Sequence, residues 1–255
     1  FTGSTAVGKG ILRTAAETLK RTTLELGGKS PVIVLDDANL DQAVPLALNA
    51  GFMNSGQACI AGTRILVPEP RLQAFEARVV AAMAAFRAGD PRNDATTIGP
   101  MVSQKQWERV QRYIGIGIEE GARLVAGGPG RPEGLDRGWF VRPTVFSDVH
   151  NAMRIAREEI FGPVLSILTY RDLDHAVEIA NDTDYGLQAY VLGTDVAQAH
   201  AVASRIEAGR VLVNTLTHDP AAPFGGFKQS GIGREYGAYG IEAFLEPKAV
   251  LGLPA

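Results

Sequence analysis

The chain has 255 residues, 45% of them apolar and 21% charged, which suits one large or two modest domains with a hydrophobic core. A net charge of −3 excludes the concentrated positive field that nucleic acid or an anionic membrane surface requires. No apolar run approaches the roughly 20 residues of a bilayer span, and a single cysteine excludes a disulfide framework or a cysteine-rich metal site, so no bound metal is expected.

The opening Phe1-Thr2-Gly3-Ser4 has neither an initiator Met nor the basic start of a signal peptide. The chain therefore reads as beginning inside a longer polypeptide, with a reducing, cytoplasmic home. A helix is predicted over 5–19, after the small residues Gly3, Ser4 and Thr5. A short β-favouring run at 22–26 stops at Gly27-Gly28. The unbroken apolar run at 31–35 predicts a strand covered on both faces. Asp36, Asp37 and Asn39 then supply capping chemistry for a helix over 40–52. A strand at 64–67 leads into a long helix over 70–88, apolar at Leu72, Phe75, Val79, Met83 and Phe86. Another helix spans 103–120, and the Gly-, Pro- and charge-rich stretch 127–138 reads as an exposed loop. Strands at 140–146 and 164–170, a helix at 173–181, a strand at 189–192, a helix at 195–208 and a strand at 210–214 follow. The last segment, 242–251, is apolar and β-prone. Strands separated by helices of this length predict a parallel α/β sheet.

Two residues stand out chemically. Cys59 lies in Asn54-Ser55-Gly56-Gln57-Ala58-Cys59-Ile60-Ala61-Gly62, a Gly-flanked polar stretch just after a predicted helix. Small residues there let backbone N–H groups turn toward a substrate oxygen. A lone cysteine is otherwise a small buried hydrophobe, and composition leaves both readings open. Glu25 lies in Leu24-Glu25-Leu26-Gly27-Gly28-Lys29-Ser30. It is either an outward-facing strand residue or a buried acid whose raised pKa would suit a general base.

Together these segments resemble the glutamate and cysteine signatures of the NAD(P)-dependent aldehyde dehydrogenase superfamily. Glu25 and Cys59 are 34 positions apart, the spacing usual in that family. Three more stretches match it in order: Phe1-Thr2-Gly3-Ser4, Glu158-Glu159-Ile160-Phe161-Gly162-Pro163, and Pro223-Phe224-Gly225-Gly226-Phe227-Lys228-Gln229-Ser230-Gly231. The resemblance covers nearly the whole chain and corresponds to the C-terminal, catalytic half of such an enzyme. It implies that Cys59 attacks an aldehyde as thiolate, which requires a lowered pKa or removal of the proton. The oxyanion would be held partly by the Cys59 backbone N–H, hydride would leave to the nicotinamide, and Glu25 would activate the water that hydrolyses the thioester. Glu159 would bind the nicotinamide ribose with Phe161 beside it. Gly3, Ser4, Glu25, Leu26 and Gly27 would complete this part of the cofactor site, with a helix N-terminus favouring the pyrophosphate.

The resemblance also implies three parts: a remnant of the NAD(P)-binding domain at 1–26, a Rossmann-like catalytic domain at 27–235, and a C-terminal oligomerisation arm at 236–255. The expected form is a homodimer or homotetramer, with Glu246 in an arm strand paired to Arg21 and Arg234. Only about half of the family pattern is present, so the isolated chain is expected to be inactive and to bind NAD poorly. NAD is the expected cofactor, with NADP left open because the discriminating residues belong to the other half. Alternatives are a CoA-acylating relative, which Glu25 disfavours because a CoA thiolate needs no base, and a non-catalytic structural fragment. Glu235 resembles a second family glutamate, with a structural salt bridge as the alternative. His218 is a candidate substrate contact in loop 215–222. His175 and His200 read as surface residues, Trp107 and Trp139 as packing residues, and Arg64 as structural. Nothing cationic neighbours Cys59 in sequence, which disfavours a dicarboxylic semialdehyde as substrate.

Overall fold

The computed structural model describes residues 1–253. Strands and helices alternate along the chain. They run α1 Thr5–Ala16, β1 Leu24–Glu25, β2 Pro31–Val34, α2 Leu40–Phe52, β3 Arg64–Pro68, α3 Leu72–Ala82, α4 Gln104–Glu119, β4 Arg123–Ala126 and β5 Thr144–Ser147. They continue with α5 Arg154–Arg157, β6 Val164–Tyr170, α6 Leu173–Asn181, β7 Tyr185–Gly186, β8 Gln188–Leu192, α7 Val196–Ala203, β9 Arg210–Val213, β10 Phe227–Lys228, β11 Gly231–Ile232 and α8 Gly237–Glu242. Seven strands form one sheet in the order β4-β5-β6-β3-β2-β8-β9. Every pairing is parallel except β4 with β5 at one edge.

The sheet is parallel because its strands are apolar on both faces and helices cover each. Along β2, Val32 and Val34 face one core with Phe75 and Leu48, while Ile33 and Leu35 face the other with Phe146 and Tyr170. This is the two-residue alternation of a strand read on a fully buried element. Asn39 caps α2 by accepting the Asp41 amide at 3.0 Å. Asp37 instead accepts the Asp195 amide and, through its carbonyl, the Thr194 hydroxyl, tying α2 to the start of α7.

Several predicted boundaries shift for local reasons. The first helix stops at Ala16, and Leu19 turns left-handed with φ 53°. The helix expected to reach residue 88 ends at Ala82, followed by a 3-10 turn at Met83–Ala85 that swings the Phe86 ring to 4.9 Å from Phe52. The strand expected from residue 140 begins at Thr144, after Pro143, which has no N–H for a ladder. The Trp139 and Phe140 carbonyls are used by the Met101 amide and the Trp107 indole. The helix expected over 195–208 covers only Val196–Ala203.

The 242–251 segment forms no strand within this chain among the described residues. Gly237–Glu242 is helical, and 243–253 pairs with no strand of this chain. A ladder needs a second strand, and this chain supplies none there. Glu246 does pair with Arg21, the two side chains being 80% and 66% exposed. Arg234 does not join them; it donates to the Gly226 and Gly233 carbonyls at 3.2 and 2.7 Å and lies over the Phe227 ring.

Candidate active site

The chemistry-bearing segments all lie at the amino ends of the parallel strands. Gly27-Gly28 precedes β2, Cys59 precedes β3, Glu159 precedes β6, and Gln188 and Arg210 open β8 and β9. This is the reverse of the usual rule for open α/β sheets, where ligands sit beyond the carboxyl ends.

Cys59 is carried on a stiff loop. After α2 the backbone enters the left-handed region at Asn54, Ser55 and Gly56, with φ of 48°, 59° and 71°. Ser55 accepts the Gly99 amide at 2.8 Å, and Gln57 both accepts the Val102 amide and donates to the Pro100 carbonyl. A Cβ at Gly56 would collide with the Gly162 carbonyl, so glycine lets this loop abut the Glu158–Pro163 segment. Cys59 itself is half-buried. Burial pushes its thiol pKa up, and the charges of Glu159 and Glu25 push the same way, against the Cys59 and Ile60 amides. The resting thiol therefore keeps its proton at neutral pH, so attack requires the proton to be taken away.

Glu25 is a buried acid, not an outward strand residue: it is 2% exposed, and neither carboxylate oxygen has a hydrogen-bond partner. Burial, reinforced by Glu235 and opposed by Arg234, raises its pKa to about 7. Its position is set by Ser230 and Gly231. Glu25 opposes Gly231 in the antiparallel β1–β11 pair. The fully buried Ser230 donates to the Gly27 carbonyl at 2.6 Å and accepts the Gly186 amide at 3.0 Å. Gly231, at φ 152°, leaves no room for a Cβ against the Leu24 carbonyl.

Glu158 and Glu159 part company. Glu158 turns outward to Arg154 and the Tyr113 hydroxyl, and Arg154 holds its carboxyl below the usual range. Glu159 turns inward, accepts the Gly28 amide at 3.1 Å, and has its pKa raised by burial. A Cβ on Gly27 would collide with the Glu159 carboxylate, and one on Gly28 with the Cys59 carbonyl. These two glycines therefore join the Cys59 loop to Glu159. Gln106 and Arg109 on α4 hold the backbone of 159–161, donating to its carbonyls at 2.5 to 3.4 Å. Phe161 adopts φ 61° and stays 37% exposed.

On the other side, Ser4 caps α1 by accepting the Val7 amide, and the Gly3 amide donates to the Glu25 carbonyl at 2.9 Å. Leu26 packs its side chain against Gly8 of α1, so its backbone, not its side chain, is what remains for a ligand.

Glu235 belongs to this site electrostatically, since it raises the Glu25 pKa, and it makes none of the ion pairs among the described residues. His200 and His218 are exposed and His175 is half-buried on α6, where its ring accepts the Arg171 amide. His218 touches Arg210 and packs edge-on against Tyr236. Arg64 is structural: fully buried, it donates to the Lys29, Ile179 and Ala180 carbonyls and to Asn151. Trp107 and Trp139 pack 6.4 Å apart with Arg131 against both rings. Gln106, Arg109, Ser230 and Arg210 had no separate signal, because each acts through a contact between distant segments.

Known proteins share this fold. The aldehyde dehydrogenase family model matches residues 1–250. A relative from Staphylococcus saprophyticus, named as an aldehyde dehydrogenase, is 54% identical over 252 residues, covering 99% of this chain and 53% of the relative. Aldehyde dehydrogenase C of Pseudomonas syringae, solved as a C291A mutant with NAD+ and octanal, is 52% identical with a TM-score of 0.97 over 100% of this chain and 53% of its own. A Mycobacterium tuberculosis aldehyde dehydrogenase solved with NAD+ has the same identity and TM-score and is covered over 52% of its length. The chain spans about half the length of the relatives it matches. It belongs to the aldehyde dehydrogenase family.

Proposed function

We propose that the protein containing this chain oxidises an aldehyde to a carboxylic acid with NAD+, using Cys59 as nucleophile and Glu25 as general base. One observation carries the reading: a half-buried thiol that keeps its proton shares its site with a buried, unpartnered carboxylate of pKa about 7. Such a carboxylate accepts and releases a proton near neutral pH. In this reading the Cys59 proton is removed, the thiolate attacks the carbonyl carbon, and the Cys59 amide supports the thiohemiacetal oxyanion. Oxidation leaves an acyl group on sulfur. Glu25 then deprotonates the water that cleaves the thioester and returns the thiol.

The residues fit a nicotinamide dinucleotide. Glu159 offers carboxylate acceptors for ribose hydroxyls, Gly27 and Gly28 leave the floor free of side chains, and the capped start of α1 suits a pyrophosphate. When bound, the nicotinamide supplies the hydride acceptor. The relatives solved with NAD+ favour NAD over NADP as cofactor. Residues 1–26, 27–235 and 236–255 then divide into cofactor-domain remnant, catalytic domain and oligomerisation arm, in a cytoplasmic homodimer or homotetramer. Glu25 favours water over CoA as acyl acceptor, because a thiolate needs no base.

The test is NADH formation by the full-length protein given a straight-chain aldehyde and NAD+, with the acid as product. Absence of both across aldehydes of several lengths would contradict the proposal.

A further inference from the structure

Arg210 is a half-buried cation without a counter-ion. It opens β9, opposite Gln188 in the parallel β8–β9 ladder. Its Nε donates to the Gln188 side-chain oxygen at 2.6 Å, its Nη1 touches His218 Nδ1, and its guanidinium lies 4.9 Å over the Phe224 ring. No carboxylate of the described residues pairs with it, and Nη2 makes no hydrogen bond among them. Arg131, stacked against Trp107 and Trp139, also lacks a carboxylate partner among the described residues, but Arg64 and Arg109 differ. Arg64 has four hydrogen bonds to oxygens, and Arg109 is bonded to the Glu159 and Ile160 carbonyls. A cation partly withdrawn from water gains most from an anion that enters with the ligand.

Its place in the site is set from two directions. On the nucleophile side, Gln188 contacts the Tyr190 hydroxyl, which donates at 3.0 Å to the carbonyl of Ile60, the residue after Cys59. Leu187, next to Gln188, packs where a Cβ on Gly28 would meet the Cys59 carbonyl. The charge of the Cys59 sulfur is felt by both Tyr190 and Arg210. On the general-base side, Phe224 precedes Gly225, whose Cβ position lies 2.9 Å from Glu25 Oε1. His218, the third contact, belongs to loop 215–222. Arg210 therefore stands between the Cys59 and Glu25 segments although no cation neighbours Cys59 in sequence, and it offers an acidic aldehyde a cation.

We propose that Arg210 is a specificity-determining residue that receives a carboxylate carried by the aldehyde substrate, through the guanidinium edge left free by Gln188 and His218. This rests on the aldehyde dehydrogenase reading above. Gln188 and Phe224 hold the planar group from one side and one face, which leaves Nη2 for a charge-assisted hydrogen bond to a carboxylate oxygen.

The test compares, on the full-length protein, kcat/KM for straight-chain aldehydes ending in a carboxylate with methyl-terminated aldehydes of equal length. The wild type should favour the carboxylated series at one or more lengths by about tenfold to a hundredfold, the range of a charge-assisted hydrogen bond. Arg210→Met should cut that ratio at least about tenfold, mainly through KM for the carboxylated aldehyde, and Arg210→Lys should keep part of it. A wild type that prefers the methyl-terminated aldehyde at every length overturns the proposal even if the variants do not fold. So does a ratio unchanged by Arg210→Met. A wild type that oxidises neither series overturns the aldehyde dehydrogenase reading itself, and this inference with it.

Discussion

Gly28 donates its amide to Glu159 at 3.1 Å while its α-carbon faces the carbonyl of Cys59 so closely that no side chain fits. Glu159 and the Cys59 loop are thus registered through one residue. Gly28→Ala must push one of them away. A displacement of about 1 Å at a reacting group costs on the order of a hundredfold in rate. The full-length Gly28→Ala protein should show kcat lowered by about that factor with its fold intact by circular dichroism, and steady-state kinetics would check it.

The Glu25 carboxyl sets a pH profile. It holds its proton until about pH 7, so thioester hydrolysis should rise with pH through that value and level off above it. The stability effect has the opposite sign. An unfolded glutamate ionises near 4.5 and the folded one near 7, so folding becomes less favourable as pH rises between those values. Glu25→Gln should therefore flatten that part of the thermal-stability profile while abolishing the pH dependence of hydrolysis. Both are measurable, by Tm against pH and by stopped-flow.

Lys29 gives a second linkage. It is completely buried, its ammonium nitrogen has no partner, and burial with help from Arg64 lowers its pKa to about 7. The unfolded chain binds this proton below about 10.5 and the folded chain only below 7, so stability falls as pH drops across that window. Replacing a buried polar charge by an apolar group of similar length is often neutral or stabilising by about 1–4 kcal/mol. Lys29→Met should raise stability at pH 7 within that range, and chemical denaturation would show it.

The pair Arg21–Glu246 makes an assembly prediction. Both side chains are largely exposed, and such pairs contribute about 0–1 kcal/mol to a single chain. Glu246→Lys should leave chain stability nearly unchanged yet weaken the proposed dimer or tetramer, where water exclusion makes like charges costly. Sedimentation velocity of wild type and variant decides this.

What the sequence made legible was local. The apolar run at 31–35, the Asn39 cap and the motifs around Glu25, Cys59 and Glu159 each carry their signal within a few residues, and they locate the sheet and the site. Pairings between distant segments were not legible. The edge strand Arg123–Ala126 is half exposed and lacks a buried strand's apolar run. The sequence leaves the Glu25 carboxylate free to face either way, and its burial depends on the distant segment that holds Gly225 and Gly231. Arg210 meets Gln188 and His218 only because β8 and β9 are adjacent. The apolar 242–251 segment reads as a strand, but a strand exists only with a partner.

The most direct test of the account is mass spectrometry of full-length Glu25→Gln after one turnover with aldehyde and NAD+. The account predicts a burst of NADH about equal to the enzyme concentration, slow steady-state turnover, and an acyl group on the peptide containing Cys59. An acyl group on any other residue, or unimpaired turnover in this variant or in Cys59→Ala, would contradict it.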